Sequence, residues 1–385
     1  MGSDGARLGA ALGALVEPVT GLPLAELGMV RSVRSHRHRA DIEIGVPIEN
    51  WPAAEELAAL VRDVAGSDPD VRESSVVVTV MDETERMALR GALRRHMEGE
   101  PVDDGHGHGG PPGHGHDGPT PLFLQPESAT RVIGISSGKG GVGKSSVTVN
   151  LAVAMARLGK SVAILDADVY GFSVPKMLGG HTDPVILGDL VIPTTVHGVR
   201  CLSMGYFVPE DQPVIWRGPM LHKAIEQFLG DAYWGEPDFL LVDTPPGTGD
   251  VTLSLAQVMP RAEVIVVTTP QAAAQRVAQR AAFAARKLKL AVRGVVENMS
   301  WFTGDDGTRY ELFGRGGGAT LAGDLGVPLL GQIPLVPALR EGGDIGAPIT
   351  VTDPDGEVAG GFHALAERLV DLGPARVYRR ELSLR

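Results

Sequence analysis

Thiols are almost missing from this chain. Of its 385 residues only Cys201 is a cysteine, which excludes an intramolecular disulfide framework and a Cys-x-x-Cys metal site within it. Long apolar runs are missing too: no stretch of about 18 uncharged apolar residues occurs. The N-terminus shows neither a positive n-region nor a continuous apolar h-region. The protein is therefore expected to be soluble and cytoplasmic, with no membrane partner. Nor is there a basic excess. Lys and Arg number 35 against 47 Asp and Glu, a formal net charge of -12, which argues against a general nucleic-acid binder.

What is present is glycine in a telling place. Gly138-Lys139-Gly140-Gly141-Val142-Gly143-Lys144-Ser145 follows the apolar run from Arg131 to Ser136 and leads into Val147 to Leu158, so it reads as strand, glycine-rich loop and helix. A phosphate-binding loop requires that context. Glycines let successive backbone N–H groups turn onto an anion, and the helix N-terminus adds partial positive charge. Gly138, Lys139, Gly140, Gly141, Val142, Gly143, Lys144, Ser145 and Ser146 form the expected cradle for a nucleoside triphosphate, with Lys144 on the β/γ-phosphates and Ser145 on Mg²⁺. Gly138-x-Gly140-x-x-Gly143 also satisfies the dinucleotide fingerprint, with Asp166 about where a ribose-binding acid falls. That reading leaves Lys144, Ser145, Lys139 and the segment Asp243-Thr244-Pro245-Pro246-Gly247 without roles, so the triphosphate reading is preferred.

The length suggests two domains. Residues 1–100 read as a small α+β unit: a helical start near Leu8 to Val16, strands between Met29 and Ile48, a helix from Pro52 to Val64, a strand from Ser75 to Met81 and a helix to His96. Residues 101–126 shift to Gly, Pro, His and Asp, a composition that cannot bury a core and is expected to form a flexible linker. It carries His106, His108, His114 and His116, a tract able to hold Ni²⁺ or Zn²⁺; a solubilising tether is the preferred reading. Residues 127–385 alternate continuous Val/Ile/Leu runs with helix-length segments, as strands buried on both faces of a mostly parallel sheet do. The fold class is α/β: a P-loop NTPase sheet preceded by the small α+β domain.

Phosphoryl transfer needs cations, a Mg²⁺ shell and a group that orients water. Asp243, carried by Phe239-Leu240-Leu241-Val242, is the expected carboxylate behind the Mg²⁺, and Gly247 could sense the γ-phosphate through its amide. Asp166 and Asp168 end the next strand. At period-two spacing both face one side if the strand runs that far, which places Asp168 to orient the attacking water and Asp166 nearer the Mg²⁺; capping of the next turn is the alternative for Asp166.

Lys139 discriminates further. A lysine at this position of the loop resembles the deviant loop of the MinD/ParA/ArsA class of ATPases, in which it reaches across a face-to-face dimer to the partner's nucleotide. The resemblance implies an ATP-dependent homodimer with Lys139, Lys144 and Asp168 as catalytic residues. Reading on, Asp166-Ala167-Asp168-Val169-Tyr170-Gly171, Trp216-Arg217-Gly218-Pro219-Met220, Asp243-Thr244-Pro245-Pro246-Gly247-Thr248-Gly249-Asp250, Glu297-Asn298-Met299-Ser300 and Phe313-Gly314-Arg315-Gly316-Gly317 together resemble the Mrp/ApbC family of ATP-binding iron–sulfur cluster carriers. The match covers nearly all of Thr130 to Leu372. It implies iron–sulfur assembly proteins or apo-protein clients as partners, and Asn298 as a hydrogen-bonding partner of adenine.

The departure from that family is equally specific. Cluster-carrying members place Cys-x-x-Cys shortly after the Asn-Met-Ser segment, where this chain has Trp301 to Tyr310 without a cysteine. The small domain usually shows Cys-Pro before its helix, where this chain has Trp51-Pro52. A dimer would own two thiols, and Cys201 reads as a small core residue. The expectation is an ATPase without the usual cluster site, acting in cluster assembly as a carrier or nucleotide-gated scaffold. The alternatives are a MinD/ParA-like switch and a Ni/Zn metallochaperone using the His tract.

Overall fold

The computed structural model describes residues 3–98, 125, 128–169, 171–180, 183–207, 218–247 and 249–374. The four linker histidines, Tyr170, Trp216, Arg217, Thr248 and the end of the chain from 375 lie outside them. Two compact units are present: Met1–Leu122 with Val185–Ile192 and Asp231–Gly235, and the remainder. Among the described residues no helix is long and apolar enough to cross a membrane.

In the first unit, the strands Val30–His36 and Arg39–Val46 pair antiparallel around Arg37 and His38, both at positive φ, as a two-residue hairpin requires. Arg39–Val46 also pairs in parallel with Glu73–Val80, and the helix Ala54–Ser67 makes the crossover. Period-two alternation sends Ala40, Ile42, Ile44 and Val46 into the core. The helix Glu83–Glu98 opens on a capping box: the Glu85 amide donates to the Asp82 carboxylate at 2.9 Å and the Asp82 amide to the Glu85 carboxylate at 2.8 Å. The same core takes in Val185, Leu187, Leu190 and Ile192 and the ring of Tyr233, residues distant in sequence. Trp51, where the resemblance leads one to expect a cysteine, is 3% exposed, and its Nε1 donates to the buried Glu17 carboxylate at 2.9 Å.

The second unit is built on an eight-stranded sheet. Its order is Leu329–Ile333, Ala291–Asn298, Glu263–Thr268, Arg131–Ser137, Phe239–Asp243, Val162–Asp166, Val199–Ser203 and Thr194–Val196, all parallel except the last edge strand. The apolar runs Arg131 to Ser136 and Phe239 to Val242 fall within two of these strands, as expected. The phosphate-loop strand Arg131–Ser137 is buried along its whole length, with Glu263–Thr268 on one side and Phe239–Asp243 on the other. The helix Lys144–Arg157 that follows is buried at every residue from Val147 to Met155. It packs against the last helix, Glu357–Asp371, and Val147, Leu151, Phe362 and Leu365 join Ile133, Ile135, Ile164 and Leu241 in one core. The strand order brings the carboxyl ends of the strands of Ser137, Asp166, Asp243 and Asn298 to one rim, where ligands of open parallel sheets bind.

Candidate functional site

The loop between Ser137 and Lys144 is shaped by constraints at three glycines. Gly141 and Gly143 have φ of 78°, a region that costs L side chains dear. A Cβ on Gly138 would lie 2.3 Å from the backbone of Val277 and Ala278, and one on Gly143 would lie 2.2 Å from Asn298 Nδ2. The loop is thus pressed between the helix Ala272–Lys287 and the end of the strand Ala291–Asn298. It lines a cavity of about 220 Å³ with Ser137, Lys139 to Ser146, Asp168, Gly171, Met177 and Pro246.

At the cavity floor the first turn of the helix meets Asp243. Lys144 Nζ and Ser145 Oγ each lie 2.6 Å from Asp243 Oδ2, and Thr148 Oγ1 lies 2.6 Å from Oδ1. Asp168 Oδ2 is 3.6 Å from Lys144 Nζ. Lys144 is 6% exposed, Asp168 7% and Asp243 not at all, so one cation faces two carboxylates in a shielded environment. Thr148 escaped the sequence reading, although its spacing of four from Lys144 puts it on the same helix face. Gln271 escaped it too: Lys139 Nζ donates to its Oε1 at 3.2 Å.

Other expected residues stand differently. The strand ends at Asp166, so Asp166 and Asp168 do not share a strand face. Asp166, expected nearer Mg²⁺, instead closes the turn after the strand. Its Oδ1 accepts from the Asp168 amide at 3.2 Å, and its Oδ2 accepts from the amides of Ser173 and Val174 and from Ser203 Oγ at 3.1 to 3.2 Å. The physical reason is the short helix Val174–Leu178, whose first amides need an acceptor. Burial first, and the charge of Asp243 second, push the Asp166 carboxyl up to about 7, against the amides that favour its ionised form. The Gly247 amide donates to Ser137 O at 2.8 Å and so has no free hydrogen for a phosphate. Asn298, expected on adenine, donates from Nδ2 to Val142 O at 2.9 Å, while its buried Oδ1 has no hydrogen-bond partner.

The residues after Asn298 form a hairpin, Phe302–Thr303 with Arg309–Tyr310. The Arg309 guanidinium lies 4.5 Å over the Trp301 ring and pairs with Glu357 at 3.0 Å. The Asp306 carboxylate accepts from Thr308 N and Oγ1, which holds it below the usual range. Cys201 is 1% exposed, between Ile164 and Thr194 on neighbouring strands, and burial pushes its thiol well up. Among the described residues no group of three or more His, Cys, Asp or Glu is arranged to hold a metal ion.

The sequence family described as ParA, NUBPL iron-transfer P-loop NTPase, matches residues 128–370. The chain belongs to that family. The iron–sulfur cluster carrier protein of Mycobacterium tuberculosis is 42% identical over 375 residues, covering 96% of this chain and 93% of the relative. The iron–sulfur cluster carrier protein of Bacillus subtilis is 50% identical over 204 residues, 53% of this chain and 58% of the relative. Among solved structures, a nucleotide-binding protein from Archaeoglobus fulgidus in complex with ADP is 34% identical. It matches with a TM-score of 0.52 over 61% of this chain and 93% of that chain. The ParA/NUBPL match and the convergence of Lys144, Ser145 and Asp243 fall on the same stretch of chain.

Proposed function

We propose that the chain is an ATP-binding, ATP-hydrolysing protein that works as a Mg²⁺-dependent homodimer in cytoplasmic iron–sulfur cluster assembly. It acts there as a nucleotide-gated scaffold whose partners, assembly proteins or apo-protein clients, supply the thiolates. The observation that carries the nucleotide reading is the meeting of Lys144, Ser145 and Asp243 under a glycine loop at a helix N-terminus. The relatives named as cluster carriers support the assembly context. The burial of the one thiol and the cysteine-free hairpin after Asn298 support the scaffold reading over direct carriage, because soft thiolates are what hold such clusters.

The donor set fits Mg²⁺. That ion binds through one or two protein oxygens together with substrate phosphates and waters, and the Ser145 hydroxyl with the Asp243 carboxylate behind it offers that and no more. Bound there, the ion would supply charge neutralisation at the phosphates. It would offset Asp168 and Asp243, which both repel a bare polyphosphate against the attraction of Lys144, the loop amides and the helix N-terminus. Lys144 then passes from Asp243 to the phosphates. Asp168, at the cavity wall, orients the attacking water, and Asn298 Oδ1 is left to accept from the base. Lys139 leaves Gln271 to reach the nucleotide of the second copy, so hydrolysis requires the dimer.

Two experiments test this. In Lys139→Ala the monomer still binds nucleotide, while hydrolysis falls by about 10³-fold, the low end of what a cation supplied in trans contributes. An unaltered turnover rate would count against the trans lysine. Anaerobic reconstitution with Fe²⁺ and sulfide is expected to leave no stoichiometric cluster on wild type or on Cys201→Ala. A cluster present in wild type and lost in the variant would sink the scaffold reading.

A further inference from the structure

The hydroxyl of Thr148 is bound to the buried carboxylate of Asp243, and no phosphate-binding pattern in the sequence asks for it. The backbone of Asp243 is fixed: it sits at the end of a strand paired on both sides, and its carbonyl accepts from the Ala167 amide at 3.0 Å. What remains free are the two side-chain torsions, the last of them a broad two-fold rotor of the carboxylate. Three donors from one helix turn control it. Lys144 Nζ and Ser145 Oγ share Oδ2, and Thr148 Oγ1 alone among them holds Oδ1 at 2.6 Å. Thr148 Oγ1 also lies 3.1 Å from Lys144 O, but a hydroxyl has one hydrogen to give. The shorter contact to the charged oxygen takes it.

The two oxygens therefore have different fates when nucleotide arrives. Lys144 and Ser145 face the cavity and are the groups that phosphate and cation compete for. Thr148 is wholly buried behind them, touches neither, and keeps its bond. We propose that Thr148 is a positioning residue for the divalent cation: it pins Asp243 Oδ1, so that Oδ2 alone changes partners and stays aimed at the cation position beside Ser145. Without the hydroxyl, the carboxylate loses its one fixed anchor at the moment Lys144 lets go. This rests on the nucleotide reading above and deepens it.

The test is a Mg²⁺ titration of mant-ADP binding, followed by fluorescence, on full-length wild type, Thr148→Val and Thr148→Ser. In Thr148→Val the Mg²⁺ concentration at half-maximal binding rises about tenfold or more, as expected for losing a hydrogen bond to a charged group. Thr148→Ser, which keeps the hydroxyl and drops the methyl, restores the wild-type midpoint. Thr148→Ala substitutes for the valine variant should that one not fold, with the same rise expected. An unchanged midpoint in the hydroxyl-less variants, or an equal rise in Thr148→Ser, overturns the proposal. So does an affinity loss of the same size with and without Mg²⁺, which assigns Thr148 to packing alone. Wild type that fails to bind mant-ADP at any Mg²⁺ concentration overturns the underlying nucleotide reading instead, and this proposal with it.

Discussion

Lys144→Ala is expected to abolish nucleotide binding and, without any nucleotide present, to lower the folding stability by about 3–5 kcal/mol, the usual result of removing one partner from a buried ion pair. The second effect follows from the ion pair itself. Lys144 lies 2.6 Å from Asp243 with both groups out of water, so the lysine neutralises a carboxylate that cannot be solvated. Ser145 and Thr148 still donate to that carboxylate in the variant, but hydroxyls bring no charge. Urea unfolding of the nucleotide-free protein measures the loss. Adding Asp243→Asn to Lys144→Ala should recover part of it, because the closer pair then leaves no charge behind while Asp168 still lacks the lysine 3.6 Å away. A single variant with the wild-type urea midpoint would show that the pair does not form in the nucleotide-free protein. Binding is judged separately with mant-ADP, where neither the single nor the double variant regains affinity, since the phosphates have lost their cation.

Gly138→Ala should cost at least about 3 kcal/mol, the upper end for overpacking. The atoms that a methyl would meet are backbone atoms, Val277 C and Ala278 N at 2.3 Å and Val277 O at 2.7 Å, and they belong to the interior of the helix Ala272–Lys287. A flexible side chain could swing away; a helix must move as a body or break its ladder. Gly140 is the matched control. Its φ is not in the positive range and the nearest atom to an added Cβ is Pro246 Cγ at 4.0 Å, so Gly140→Ala should stay within about 0.5 kcal/mol of wild type in stability. Thermal melts of the two variants side by side separate the effect of the close approach from any general intolerance of the loop. Equal melting temperatures would mean that the loop and that helix do not approach as closely as 2.3 Å implies.

The framework of the second unit was open to reading in advance because buried parallel strands announce themselves: Val162 to Asp166 and Phe239 to Asp243 are unbroken apolar runs ending in acids, and the strands match those limits. The phosphate loop was equally plain, since its glycines and Lys144-Ser145 occupy fixed offsets. What stayed hidden depends on partners brought together across the sheet. Thr148 is an ordinary helix residue until Asp243 arrives from a strand about 95 positions away. Asp166 could have met a cation or a turn, and only the short helix beginning at Val174 decides for the turn. Gly247 looked free because sequence cannot show that Ser137 O takes its amide. The first unit's reach was hidden for the same reason. Val185-Ile186-Leu187 reads as one more apolar run, and nothing local says that Leu187 and Leu190 share a core with Leu8, Ile42 and Leu57.

The setting of Cys201 bears on how the protein meets oxygen. A thiol sealed on the strand next to the sheet's antiparallel edge, with its ionisation suppressed, is slow to form the thiolate that peroxide and alkylating reagents attack. Oxidising or alkylating conditions that consume exposed thiols should therefore leave this one untouched for as long as the sheet around it holds.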